Sequence, residues 1–425
     1  DLNFVLDQRI AAEQASDNHS LRASYTEPLR RRRYLELHYA WRQAAGRSAR
    51  EAFDFDEATG RYDLANPLFT NAFDSRFTTH EGGMNFKIEK LKYNYTLGLS
   101  VQDYHLESAN LTADTSIRQQ AVNYFPIAVF KYNFSGSKRF SATYRGATEQ
   151  PSVAQLQPLP DLSDPQYIRL GNPGLQPQFA HRLQLSYNSF DSRSLRSFFA
   201  NGMFALTANA IVNDIRLLEG GRQEILPRNG LPAYTGMAFL GWGIPIKKWK
   251  SDFGISTNLL YNQRSNYVDG VANLTHTLQA TQAARANYYY RELLDLGVSL
   301  GLTYQRADYA LQPLLNTRFF RYQAGADAQL RLPLGLSLRG ELQYFANTGG
   351  SGLYNQRSAL LNASLAQQLL GKRATVQLRA FDLLRQNLSL ARNTTASYLE
   401  DVSSLVLGQY WMLGFTWKLN RFGQG

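Results

Sequence analysis

Residues 91–102 alternate without a break. Leu91, Tyr93, Tyr95, Leu97, Leu99 and Val101 are apolar or aromatic, and Lys92, Asn94, Thr96, Gly98, Ser100 and Gln102 between them are polar or small. Side chains of a strand point to opposite faces with a period of two, so this segment has one apolar and one polar face. Half-buried strands usually run about 5–6 residues. This run is about twice as long, the length a tilted strand needs to cross a bilayer. The pattern recurs: Leu294, Leu296, Val298, Leu300, Leu302 and Tyr304 form one series, and Trp411, Leu413, Phe415, Trp417 and Leu419 another. Phe140–Tyr144, Leu183–Tyr187, Phe253–Tyr261, Leu336–Tyr344, Leu361–Leu365 and Ala374–Ala380 repeat it. Gly, Ser and Thr are frequent on the polar side, where small residues relieve crowding inside a closed sheet.

The connections between runs fall into two classes. Short ones lie at 27–31, 88–92, 135–138, 245–249, 333–335 and 370–373, and long ones around 53–70, 107–120, 149–178, 213–228, 264–273, 348–356 and 385–403. Tight turns on one side and long loops on the other are the hairpin signature of an outer-membrane barrel. The pattern predicts an all-β fold, a transmembrane antiparallel β-barrel with roughly 18 visible strands. Its short turns are expected in the periplasm and its long loops outside the cell. Both chain ends are expected on the short-turn side. The odd residues of 91–102 are expected to face lipid and the even ones the lumen. No fixed short repeat suggests a β-helix, and no linkers suggest a string of sandwiches. A closed barrel alone presents so many apolar stripes to hydrocarbon without an unpaired edge.

Composition narrows the reading. The chain of 425 residues has 25 Tyr and 24 Phe but only 5 Trp, a bias toward residues favoured in strands and interfacial girdles. Cysteine is absent, which excludes disulfide frameworks and thiolate chemistry. The net charge is +11, yet the one dense basic run is Arg30 to Arg33, so the charge is spread around a wall and nucleic acid is not an expected partner. Arg30–Arg33 sits at a short turn, where it docks on anionic headgroups or stays solvated. The polar faces carry Lys92, Lys131, Arg139, Arg145, Arg331, Arg339, Arg379 and Lys418 against Asp295, Asp327 and Glu341. That predicts a net basic lumen, suited to an anionic plug surface or anionic solutes.

Catalytic patterns are missing. His19, His38, His80, His105, His181 and His276 are scattered without metal-ligand spacing, and His19-Ser20 has no G-x-S-x-G elbow beside it. The chain is expected to be no enzyme and to use no metal or cofactor. Asp161 and Asp164 are two carboxylates where a calcium site needs 6–8 oxygens. Tyr288, Tyr289 and Tyr290 read as an interfacial girdle in preference to a sugar-stacking platform, as do Tyr410, Trp411, Phe415 and Trp417. The segment 149–178 carries Pro151, Pro158, Pro160, Pro165, Pro173 and Pro177. Proline fixes φ and removes donors, so this loop is stiff without being sheet. It is either a clasp over the wall or part of an extracellular ligand rim, the clasp being preferred.

The residues of that loop also resemble a known family. Tyr144, Arg145, Pro151, Ser152, Gln155, Leu156, Gln157 and Pro158, followed by Gly171, Asn172, Pro173, Leu175 and Pro177, are similar to the Tyr-Arg…Pro-Ser…Gln-Leu-Gln-Pro and Gly-Asn-Pro-x-Leu-x-Pro segments of the Bacteroidota outer-membrane β-barrel family, relatives of TonB-dependent receptors. Gln178 stands where the family has Glu, so no role for that carboxylate carries over. Residues 24–41 and 381–423 share the resemblance. It implies a barrel of about 22 strands around a plug, often after a small sandwich domain. Here residues 1–425 read as barrel domain alone, with neither plug nor extra domain among them. The implied function is an outer-membrane receptor importing a nutrient, with a plug in cis, TonB acting through that part, and a surface lipoprotein as further partner. The alternatives are a structural or secretion-associated barrel that binds a protein, and a passive diffusion channel.

Overall fold

The computed structural model describes residues 7–418, apart from 68, 113, 157–159, 161–165, 350–356, 372, 388 and 395–398. Among these residues one sheet of 21 strands dominates. Four of its strands, Arg61–Ala65, Tyr167–Arg169, Ile211–Leu217 and Gln223–Asn229, are short additions at the end that carries the long connections. The remaining seventeen form an unbroken antiparallel meander from Gln8–Arg30 at one edge to Tyr410–Trp417 at the other, close to the eighteen expected. A separate two-stranded hairpin pairs Ser389–Thr394 with Leu399–Ser404.

Alternation sets the two faces. Leu97, Leu99 and Val101 are 55%, 49% and 41% exposed, while Ser100 between them is 8% exposed. The same apolar face continues through Leu300 and Leu302 and through Leu413 and Phe415, all exposed. Apolar side chains on such a scale stay exposed only where the surrounding medium is itself apolar. On the other face glycine makes room for its cross-strand neighbours. A Cβ on Gly297 would lie 2.4 Å from Asp327 Oδ1, and one on Gly83 2.4 Å from the His38 ring.

Several strands outrun a bilayer. Arg33–Asp56 has 24 residues and Tyr93–Asn110 has 18, against the 9–11 that a crossing takes. Two stretches read from sequence as long loops, 107–120 and 264–273, are therefore hairpin tips: Asn110 pairs with Thr115, and Val268 pairs with Val271. Backbone pairing continues past the apolar band because nothing in those residues breaks a strand. The short connections hold the opposite end. Leu334 (φ 65°) and Gly335 (φ 80°) both adopt left-handed backbone, as a tight strand-reversing turn demands.

The strand path also corrects the placement of the ends. Gln8 pairs with Asp54 at the rim of long connections, and Trp417 pairs with Ala374 at the rim of short turns. An odd number of passes puts the two ends of the described path on opposite rims, not both at the short-turn rim.

Candidate functional site

The described parts of the proline-rich segment, 149–156 and 166–178, lie against the polar face near the loop rim. Its first half is a single helical turn, Val153–Leu156, and its sequence Ser-Val-Ala-Gln forms a reciprocal cap. The Gln155 amide donates to Ser152 Oγ (3.3 Å), and the Ser152 amide donates to Gln155 Oε1 (2.9 Å). Each side chain satisfies a donor that a helix start would leave open. In the second half Asn172 Oδ1 accepts from the Gly174 amide at 2.9 Å, closing a turn around Pro173. The Asn172 amide in turn donates to the Gln155 carbonyl at 2.6 Å, which ties the two halves together.

What they close over is apolar. Leu156 and Leu175 are 1% and 3% exposed and pack with Tyr104 and Leu106, themselves 2% and 4% exposed. Phe77, Ile117, Ala121, Val153 and Ile211 complete the cluster. Tyr104 and Leu106 share the parity of Ser100, so they belong to the inner face, which turns apolar where the segment covers it. Burying two leucines of this kind contributes about 1.5–3 kcal/mol each. Polar bonds fasten the rest. Asn229 Nδ2 donates to the Gln176 carbonyl at 2.9 Å, and its Oδ1 accepts from the Gln176 amide at 2.8 Å. Asn172 Nδ2 donates to the Pro227 carbonyl at 3.0 Å, and Gln119 Nε2 to the Leu175 carbonyl at 3.2 Å. Gln178, at the position where the family has Glu, bridges Glu149 (2.7 Å) and the Ile211 amide (2.8 Å).

The residues singled out from sequence thus divide. Pro151, Ser152, Gln155, Gly171, Asn172, Pro173, Leu175 and Pro177 belong to this clasp, with Pro151 and Gly171 buried. Tyr144 lies elsewhere: its register partner is Leu183, on the apolar outer face, and its hydroxyl meets His181 Nδ1 at 2.9 Å. Arg145 faces inward opposite Arg182. Gln157, Pro158, Asp161, Asp164 and Pro165 lie outside the described residues. Tyr104 and Leu106 escaped the sequence reading, although a signal was present. From Asp103 onward the odd positions turn polar (Asp103, His105, Glu107) and the even ones apolar, with the register unbroken.

Beside the clasp a cavity of about 490 Å³ opens on the inner face. Gln102, Tyr104 and Phe77 border it from the wall, and Gln150, Pro151 and Ser152 from the clasp. Its edge is a hydrogen-bonded amide relay: Gln150 Nε2 donates to Asn123 Oδ1 (2.9 Å) and Asn123 Nδ2 to Gln102 Oε1 (3.0 Å). Further round the wall, a second cavity of about 600 Å³ is lined by Arg285, Arg321, Gln323, Asp327, Glu341 and Gln343, among others. There Arg285 approaches Asp327 at 3.9 Å, and nearer the short-turn rim Arg331 pairs with Asp295 at 2.5 Å. Paired amides, aromatic rings and mixed charges are equipment for holding a polar solute. Among the described residues no group of His, Asp or Glu is arranged to hold a metal ion.

A family model described as "Outer membrane protein beta-barrel family" matches residues 5–417. No curated protein matches the chain. Solved structures with a similar course include a copper transporter, OprC, at 10% identity and a TM-score of 0.43, over 88% of this chain and 61% of that one. The ferric yersiniabactin uptake receptor FyuA from Yersinia pestis is similar at 11% identity and a TM-score of 0.41, over 95% of this chain and 61% of its own. The FpvAI–pyocin S2 complex follows at 8% identity and a TM-score of 0.28, over 93% and 62%. The chain therefore spans about three fifths of the length of these structures.

Proposed function

Because the chain belongs to the outer membrane protein β-barrel family and is integral to the outer membrane, we propose that it forms the wall of a nutrient-uptake receptor of the TonB-dependent type. It carries no catalysis in this reading. The observation that supports it is the inner face. Seventeen passes make a wall too wide for its own side chains to fill, since barrels of 16–18 strands already enclose an aqueous lumen. That lumen presents one hydrogen-bonding cavity beside the clasp near the loop rim and a second, charged one further round the wall.

The mechanism follows from the faces. A polar, predominantly anionic nutrient is drawn by the arginine and lysine surplus of the lumen and held first at the loop rim. A plug in cis rearranges when TonB pulls on it, and the solute passes along the polar wall. Long loops lie outside the cell and short turns in the periplasm in this arrangement, where a surface lipoprotein has access to the rim.

The test compares a deletion strain with its parent under nutrient limitation, by following the depletion of medium components by mass spectrometry, with and without a protonophore. Depletion of a component that needs both the gene and the proton-motive force is the expected result. Gene-dependent depletion that the protonophore leaves unchanged would replace the receptor with a diffusion channel. Unchanged depletion of every component, together with a surface protein that copurifies, would replace it with a partner-binding barrel.

A further inference from the structure

The outer face carries a charged cluster that solute uptake does not use. On the strand Leu294–Tyr309 the outward positions run Leu300, Leu302, Tyr304, and then Arg306 and Asp308. On Thr317–Arg331 they run Tyr322, Phe320 and then Arg318. Ala307, Tyr309 and Phe319, of opposite parity, are buried on the inner side. Register sets Arg306 opposite Arg318, Tyr304 opposite Phe320, and His276 of the neighbouring strand opposite Asp308. Asp308 accepts from Arg306 Nε at 2.5 Å and lies 3.9 Å from an Arg318 terminal nitrogen. Tyr261 binds His276 Nδ1 at 3.0 Å. One carboxylate thus meets two guanidiniums, with His276 opposite it in the register. Directly below lies an aromatic ledge, with Tyr304 and Phe320 at 5.1 Å and Phe320 and Tyr322 at 6.4 Å between centroids.

The height of this cluster is marked independently. Two other hairpins hold the same diagonal pair, Tyr39 with His80 at 2.8 Å and Tyr144 with His181 at 2.9 Å. In all three the tyrosine faces the residue two positions after the histidine: Gly82, Leu183 and Leu278. Each histidine is thereby the first polar outward residue past the apolar band. His80 faces Asp103 and His181 faces Leu206, whereas the His276 pair adjoins two arginines. Of the three pairs, the His276 pair is therefore the one with positive charge gathered beside it, at the boundary between apolar wall and polar rim.

We propose that Arg306, Arg318 and His276 dock the phosphorylated headgroup of a membrane lipid in the leaflet on the loop side, with its acyl chains lying along Leu302, Tyr304, Phe320 and Tyr322. Guanidinium forks match phosphate oxygens in pairs, and their bonds strengthen at the edge of a low-dielectric medium. Asp308 engages Arg306 through Nε and leaves its terminal nitrogens to the ligand. The same carboxylate keeps two facing arginines together when no lipid is bound. Tyr261, with its hydroxyl 3.0 Å from His276 Nδ1, holds the imidazole in place beside the two arginines. A membrane lipid is the occupant because the cluster is continuous with the exposed apolar wall, which a free anion would have no use for.

Native mass spectrometry of the detergent-solubilised full chain tests this. The probes are a bisphosphorylated disaccharide lipid, the same lipid without its phosphates, and inorganic phosphate. The phosphorylated lipid is expected to bind at least about tenfold more tightly than the phosphate-free one. The double variant Arg306→Gln/Arg318→Gln is expected to erase that gap, and the lumen-facing Arg285→Gln to keep it. Equal binding of the two lipids by the unaltered protein overturns the proposal, whether or not the double variant folds. A gap that survives in a folded double variant also overturns it. Displacement of the lipid by equimolar inorganic phosphate reassigns the cluster to free anions and removes the lipid.

Discussion

Replacing Leu156 by alanine is the sharpest test of the clasp. The side chain is 1% exposed and packs on Tyr104, Leu106 and Leu175, so the change removes buried methyl groups from a site that the wall holds open. Transfer alone costs about 0.8 kcal/mol for each buried carbon lost, and the unfilled cavity brings a buried Leu→Ala change to roughly 2–5 kcal/mol. The loss falls on the clasp and not on the wall, because the strand ladders beneath it keep every hydrogen bond. The local opening energy of the clasp should fall by that amount, and the hydrogen exchange of its protected amides should speed up in proportion. Tenfold in exchange corresponds to about 1.4 kcal/mol, so the Asn172 and Leu175 amides should exchange roughly thirtyfold to a few thousandfold faster. These amides donate to the Gln155 and Asn172 carbonyls at 2.6 and 3.2 Å, which makes them direct reporters. Amides in the strand Lys138–Glu149 should hold their rates. An acceleration below threefold at Asn172 and Leu175, or an equal acceleration in that strand, would refute the account of the clasp as a locally anchored unit.

Three further changes probe other parts of the molecule. Leu300→Arg puts a charge on the exposed apolar face and should lower stability in lipid vesicles by about 2–4 kcal/mol, whereas Gln323→Arg on the inner face should stay near neutral; equal effects in denaturant titrations would mean the faces are misassigned. Gly83→Ala sets a Cβ 2.4 Å from the His38 ring and from Ser100 Oγ, where it must separate their 3.0 Å contact, and should cost roughly 1–3 kcal/mol in the same titration; a change under about 0.5 kcal/mol would contradict the crowding. Asn229→Ala removes both bonds to Gln176 and one to the Asn209 carbonyl (3.1 Å), a loss of about 1–3 kcal/mol visible as faster exchange of the Gln176 amide, and an unchanged rate there would count against the anchor.

The wall was legible because alternation is a strictly local signal. Leu97 and Ser100 declare their faces within a few residues, and no distant partner alters them. What escaped was long-range or lay beyond the membrane. The alternation of 91–102 inverts at Asp103, which reads in isolation as the end of a strand but in the fold is the same strand leaving the bilayer. Its outer face then turns polar, and its inner face turns apolar beneath Leu156 and Leu175. The hairpin tips at Asn110 and Val268 read as loops for the same reason, since pairing continues where membrane spacing no longer dictates composition. The tyrosine–histidine diagonals leave no spacing to read: their separations are 41, 37 and 15 residues, set by the intervening loops and not by the shared geometry.

The clasp also fixes an order of assembly. Each hairpin of the wall can zip from its own turn, but the clasp must find Gln119, 56 residues before Leu175, and Pro227, 55 residues after Asn172. Contacts of such separation reward the chain only after the intervening loops have closed. The clasp residues at 151–156 and 171–177 therefore settle after the strands on both sides of them are in place. They settle fully only if those strands are in register, because a slip of one residue in Tyr93–Asn110 would turn Tyr104 and Leu106 to the other face and leave the two leucines without a socket. A wall assembled out of phase would carry a loosened clasp at its rim, open to proteases, while a correctly phased one conceals it.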